Sequence, residues 1–120
     1  MSKEKLVSNG VIHNAIAPGT KILGSITAEN DFRIDGVIEG DIVCQGKVIV
    51  GRQGLVKGKV VCVNAEIVGQ VEGKIQVSEI LTLKSTAVVQ GEIKISTLIV
   101  EPNAQFNGSC EMFREESKSE

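Results

Sequence analysis

The chain has 120 residues, enough for one domain with a continuous core, and its 13 basic and 15 acidic side chains give a net charge of −2 with the signs intermixed. That balance leaves no basic stripe, so nucleic acid is not expected as a partner, and no run approaches the roughly 20 apolar residues that span a bilayer. Two prolines against 13 glycines, with no Trp or Tyr and only three Phe, point to many turns around stacked aliphatic side chains.

Residues 1–16 read as a flexible leader. Met1-Ser2-Lys3-Glu4-Lys5 lacks the apolar core of a signal peptide, which makes the cytoplasm the expected compartment. Val11-Ile12-His13-Asn14-Ala15-Ile16 alternates weakly, in the manner of an imperfect half-turn. His13, the sole histidine, has no cysteine or carboxylate at ligand spacing and reads as a surface residue. Ala17-Pro18-Gly19-Thr20 reads as a turn, because proline fixes φ and glycine tolerates positive φ.

From residue 17 to 112 one phrase recurs six times: apolar, spacer, glycine, spacer, apolar. It begins as Ile22-Leu23-Gly24-Ser25-Ile26 and Ile38-Glu39-Gly40-Asp41-Ile42, and ends as Phe106-Asn107-Gly108-Ser109-Cys110. The glycines at 24, 40, 58, 73, 91 and 108 are spaced by 16, 18, 15, 18 and 17 residues. Such a period is the signature of a repeat architecture.

Counting from each glycine, the positions two before it are Ile22, Ile38, Val56, Val71, Val89 and Phe106. Two after it stand Ile26, Ile42, Val60, Ile75, Ile93 and Cys110. Four after it stand Ala28, Cys44, Cys62, Val77, Ile95 and Met112. The residues between are mostly polar, so the pattern has period two and predicts strands with one buried face. The glycine shares the inward parity, and the expectation is a corner where a Cβ would crowd the core. Further strands close each repeat, carrying Phe32 and Ile34, Val48 and Val50, Ala65 and Ile67, Leu81 and Leu83, and Leu98 and Val100. Turns of unequal length, such as Asp35-Gly36 against Gly51-Arg52-Gln53-Gly54, account for most of the uneven spacing.

About three short strands per repeat make a coil whose turns stack as parallel strands ~4.8 Å apart. Interior columns dominate its stability, at about 1.5–3 kcal/mol per fully buried aliphatic. Outward charges alternating from turn to turn, Glu39, Lys57 and Glu72 or Asp41 and Lys59, add about 0–1 kcal/mol per exposed pair and help set register.

A stacked coil has two open ends, which repeat proteins normally cap. No amphipathic capping helix is evident, and the last turn carries bulky apolar residues. The ends are therefore the candidate self-association surfaces: Leu98, Val100, Phe106, Cys110, Met112 and Phe113 at the C-terminal end, and Ile16, Ile22, Ile26 and Phe32 at the N-terminal end. Residues 113–120 read as a disordered tail.

Nothing in the chain points to catalysis. Cys44 and Cys62 share a column on adjacent turns, but two thiols make a poor zinc site and a reducing cytoplasm disfavours a disulfide. With Cys110, they read as small core hydrophobes. There is no nucleophile elbow and no phosphate loop. No catalytic residue, metal, cofactor or nucleotide is expected.

The glycine phrase, Ala17-Pro18-Gly19-Thr20-Lys21-Ile22, and the stretch Phe32-Arg33-Ile34-Asp35-Gly36-Val37-Ile38-Glu39-Gly40-Asp41-Ile42 closely resemble the bactofilins, as do Val48-Ile49-Val50-Gly51, Leu83-Lys84 and Gly91-Glu92-Ile93. The match covers roughly residues 17–112. The resemblance implies an all-β chain: a right-handed, three-sided parallel β-helix of about six turns with short disordered tails. It further implies a bacterial cytoskeletal scaffold that polymerises without nucleotide, by joining like ends, into non-polar filaments. Peptidoglycan-modifying enzymes or other membrane-bound proteins are then expected partners, and cell shape an expected role. Many bactofilins begin with a membrane-targeting stretch built on a large apolar residue beside lysine. Here Lys3, Lys5, Leu6 and Val7 are the candidate contacts, weak in one subunit and strengthened by repetition along a filament.

Two rival readings remain at this point. A monomeric β-helix docking a membrane-bound partner shares the fold and differs in whether the purified protein sediments. A hexapeptide acyltransferase shares some six-residue inward spacing, as in Ile38, Cys44, Val50, Val56 and Cys62. It wants its small residue directly after the apolar one, and a catalytic histidine in a cleft, which the position of His13 does not suit.

Overall fold

Period-two alternation over stretches of three to fourteen residues yields strands throughout residues 13–113, the part of the chain that the computed structural model describes. Eleven strands follow in order: β1 (His13–Ile16), β2 (Lys21–Leu23), β3 (Ile26–Ala28), β4 (Asp31–Ile34), β5 (Val37–Cys44), β6 (Lys47–Val50), β7 (Leu55–Cys62), β8 (Asn64–Ile67), β9 (Gln70–Leu83), β10 (Val88–Val100) and β11 (Gln105–Met112). All of their pairings are parallel.

Three ladders emerge from the registers, one for each side of a coil. The first side stacks Ile22 on Ile38, Val56, Val71, Val89 and Phe106. On the second side, beyond the glycine, Ile26 stacks on Ile42, Val60, Ile75, Ile93 and Cys110. The third side stacks β1, β4, β6 and β8 on residues 80–83 of β9 and residues 97–100 of β10. Each coil runs third side, first side, second side, and the described chain completes six of them. The protein is a three-sided parallel β-solenoid of about six turns.

The first turn begins earlier than the sequence suggests. The boundary expected at residue 17 gives way to a strand at His13–Ile16, which pairs residue for residue with β4. Weak alternation hid it, because Asn14 occupies what is elsewhere an apolar position. His13, expected in a loose leader, opens this strand.

The repeated glycine is required for a different reason from the one expected. Gly24, Gly40, Gly58, Gly73, Gly91 and Gly108 all have φ between 130° and 147°, a left-handed conformation that an L side chain rarely adopts. From Gly40 onward a Cβ would strike the backbone carbonyl of the glycine one turn before it. Backbone packs on backbone at this corner, and the core is not what excludes the side chain.

The interior is filled by the expected columns. Ile34, Ile38, Ile42, Val56, Val71, Leu81, Leu83 and Ile95 are fully enclosed, and among the described residues no polar or charged side chain is buried. The longer turns close alike, with Thr20, Gly54, Ala87 and Ala104 donating backbone N–H bonds to the carbonyls of Ala17, Gly51, Lys84 and Glu101. Among the described residues the salt bridges are Lys21–Glu39, Arg33–Asp35, Lys47–Glu66 and Lys84–Glu101, at 2.8–3.4 Å. Glu39, Lys57 and Glu72 do stack in register, as expected, but close no bridge to one another.

Candidate functional site: the two ends of the solenoid

Each interior residue is covered above and below by its column neighbours. At the two ends one of those neighbours is missing, and exposure rises in the same columns that are sealed in the middle. Ile16, Ile22 and Ile26 at the N-terminal end, and Leu98, Ala104 and Phe106 at the C-terminal end, remain only partly buried against the core. Gly24 shows the same asymmetry in the backbone: no atom lies within 4 Å of where its Cβ would be, whereas Gly40 is roofed by Gly24.

At the N-terminal end Ile16, Ile26, Ala28 and Phe32 line an open hollow of about 470 Å³, together with Asn14. Phe32 is 4% exposed, because β1 passes over its column. It forms the floor of the hollow while Ile16 and Ile26 form its rim. Ile22 stands on the neighbouring side of the same end.

At the C-terminal end the apolar surface is broader. Val100 is 51% and Met112 46% exposed, Cys110 is open, and Leu98 and Phe106 are half-buried. Phe113 is arranged differently from the other five. Its amide donates to the Ile95 carbonyl at 2.7 Å, continuing the ladder, and its ring lies 4.9 Å from the Lys94 ammonium. That cation–π contact ties Phe113 toward the outward-facing Lys94, away from the apolar columns. The expected tail boundary at 113 thus cuts off a residue that still pairs.

The cysteines divide by position. Cys44 and Cys62 are buried free thiols, whereas Cys110, expected in the core, is exposed because among the described residues no later strand covers it. Burial and the neighbouring Cys44 push the Cys62 thiol up to about 12, so it is a protonated, unreactive packing group at neutral pH. The Cys44 thiol is also raised, by burial first, and donates to the Asn30 carbonyl at 3.2 Å. Arg33 and Lys84 are held more firmly protonated by hydrogen bonds to Asp35 and Glu101.

Alternation missed several outward apolar residues. Leu23 is 69% exposed on the N-terminal edge, and Ile99 lies on the last strand of the third side. Both enlarge the end surfaces. Ile80, in register one turn before Thr97, extends the apolar patch along the third side. Their signal was the lack of a polar residue at an outward position. Lys3, Lys5, Leu6 and Val7 lie outside the described residues.

Among the described residues no group of three or more His, Cys, Asp or Glu converges as a metal site would. Among the same residues no helix is long and apolar enough to cross a membrane. What the geometry offers is a rod with two dissimilar, partly apolar ends.

Comparison with known proteins gives this geometry a family. The bactofilin family, described as polymer-forming cytoskeletal, matches residues 14–111. This chain belongs to the bactofilin family. Its curated bactofilin relatives include two from Myxococcus xanthus. BacP is 30% identical over 111 residues, covering 92% of this chain and 46% of BacP. BacO is 32% identical over 107 residues, covering 89% of this chain and 82% of BacO. The chain therefore spans under half the length of one relative and most of the other. Among solved structures, the Thermus thermophilus bactofilin in double helical filaments superposes with a TM-score of 0.77 at 30% identity, over 83% of this chain and 99% of that one. The bactofilin BacA, solved by solid-state NMR, gives a TM-score of 0.77 at 32% identity, over 86% and 98%.

Proposed function

We propose that this bactofilin is a cytoskeletal scaffold that polymerises without nucleotide, its rods joining end to end with like ends meeting. The observation that carries the reading is the pair of uncovered apolar ends on a rod whose inward columns are sealed in the middle. Covering them removes Ile16, Ile22 and Ile26, or Leu98, Phe106 and Met112, from water at about 25 cal/mol per Å² of apolar surface. It also pairs the free backbone edges of the outermost strands. The filament structure of the Thermus thermophilus relative supports assembly as the use of these ends.

The role is structural rather than catalytic. The polymer presents its outward columns repeatedly, which suits the gathering of cell-wall enzymes or other membrane-bound partners at the inner face of the cytoplasmic membrane. Lys3, Lys5, Leu6 and Val7, multiplied along a filament, supply the membrane contact. Deleting residues 1–10 should leave filaments intact and reduce binding to anionic vesicles in co-sedimentation. Loss of filaments in that truncation would mean the leader takes part in the junction. Phe106→Arg tests the junction directly, because it places a charge in an end column that must be dehydrated. Ultracentrifugation in nucleotide-free buffer should pellet the unmodified protein and leave the folded variant as small soluble species. Equal pelleting would remove the C-terminal end from the interface.

A further inference from the structure

The five inward columns of the solenoid each contain six residues, and one member of all of them is polar: Asn14. It heads the column that continues through Phe32, Val48, Ala65, Leu81 and Leu98. In that place it lines the N-terminal hollow with Ile16, Ile26, Ala28 and Phe32. It remains exposed there. Any second rod seated on this end would cover it.

What covers Asn14 decides whether the junction is tolerable. Because the chain completes whole coils, a C-terminal end placed here would continue every column in register. Asn14 would then land on Leu98, and the surrounding columns would present Val100, Phe106, Cys110 and Met112. A primary amide enclosed by those groups finds no good acceptor or donor, since a thiol is weak in both roles. A buried amide without partners weakens association by about ten- to a hundredfold. An N-terminal end placed on another by a two-fold axis that passes through the third side at Asn14 brings a second Asn14 instead. Each amide has two N–H donors and a carbonyl acceptor, so the pair can exchange hydrogen bonds across the axis. A single buried asparagine fixes register and partner choice in coiled coils by the same logic.

We infer that Asn14 is the selectivity residue of the N-terminal end, admitting a second N-terminal end and rejecting a C-terminal one. The inference rests on the end-joining reading above and assigns its like-with-like preference to one side chain. Selectivity of this kind gives up some junction strength in exchange for a single filament geometry.

Two single-ended proteins test it. Phe106→Arg leaves only the N-terminal end usable, and Ile22→Arg leaves only the C-terminal end. Should Ile22→Arg fail to fold by circular dichroism, Leu23→Arg charges the same edge from an already exposed position. Analytical ultracentrifugation should find Phe106→Arg as a dimer and no heterodimer when the two proteins are mixed. Adding Asn14→Leu to the Phe106→Arg chain should create that heterodimer, with affinity raised by tenfold or more. Asn14→Asp in the same chain should lose the homodimer at neutral pH, where two facing carboxylates repel. A homodimer that forms normally with Asn14 but a heterodimer that Asn14→Leu does not strengthen would overturn the role of Asn14 and leave like-end joining in place. A monomeric Phe106→Arg protein that nevertheless pairs with Ile22→Arg would overturn both.

Discussion

The middle four coils and the two outer coils are built from the same columns, yet they answer to different demands. In the first column Ile38, Val56, Val71 and Val89 are sealed, while Ile22 and Phe106 at its two ends remain partly exposed. In the middle, volume and β-propensity therefore decide, and small changes there should cost stability. The outer coils hold more varied groups, Phe106, Cys110 and Met112 at one end and Asn14 and Ile16 at the other, and changes there should be read in assembly. On the end-joining proposal, one repeat serves two functions according to whether it has a neighbour.

The sharpest way to break the middle is through its glycine corner. Gly73→Val forces a β-branched residue into φ of 130° and drives its Cβ into the Gly58 carbonyl. Strain of this sort alone costs about 1–3 kcal/mol, and the backbone collision adds to it. Urea unfolding should show the variant severely destabilised or unfolded, whereas Gly24→Ala, at the same φ of 130° but with open space where its Cβ would be, should lose only the strain's share of about 1–3 kcal/mol.

The next contrast lies within one column. Leu81 is fully enclosed and Leu98, one turn later, is only partly covered. Leu81→Ala should lower stability by about 2–5 kcal/mol. Leu98→Ala should lower it by roughly 1 kcal/mol, since a partly exposed side chain loses less on truncation, and should instead raise the critical concentration for filaments. Equal losses in stability would erase the distinction between middle and end.

A smaller effect separates the thiols. Cys62, raised to about 12 from an ordinary value near 9, binds its proton more tightly folded than unfolded. Its contribution to stability is complete below pH 9 and is lost as pH rises from 9 toward 12. The denaturation midpoint should fall over that interval, and less so in Cys62→Val. Under native conditions a maleimide should modify Cys110 first in disassembled protein, and filaments should protect it. The smallest effect belongs to the surface: Glu66→Ala removes the 3.2 Å bridge to Lys47 and should change stability by about 0–1 kcal/mol.

Much of this architecture is legible in the sequence alone. Period-two columns named the core residues because a buried face leaves an uninterrupted apolar record, and the glycine spacing announced the coil. The reason for the glycine was not legible, since positive φ and a collision with the preceding turn's carbonyl leave the same mark as a crowded core. The strand at His13–Ile16 was obscured by Asn14, the one polar member of the inward columns. Phe32 was correctly apolar, but its cover depends on β1. The arrangement of Phe113 beneath Lys94 depends on a contact that no spacing announces. Ends are harder to read than middles because a repeat describes its neighbours, and an end has one neighbour fewer.

Electron microscopy of the purified full chain in nucleotide-free buffer, beside Phe106→Arg, tests the central claim most directly. The account predicts filaments from the unmodified protein and none from the variant, with both folded by circular dichroism. Dispersed rods from the unmodified protein at concentrations where its ends should be buried, or filaments formed equally by both, would contradict it.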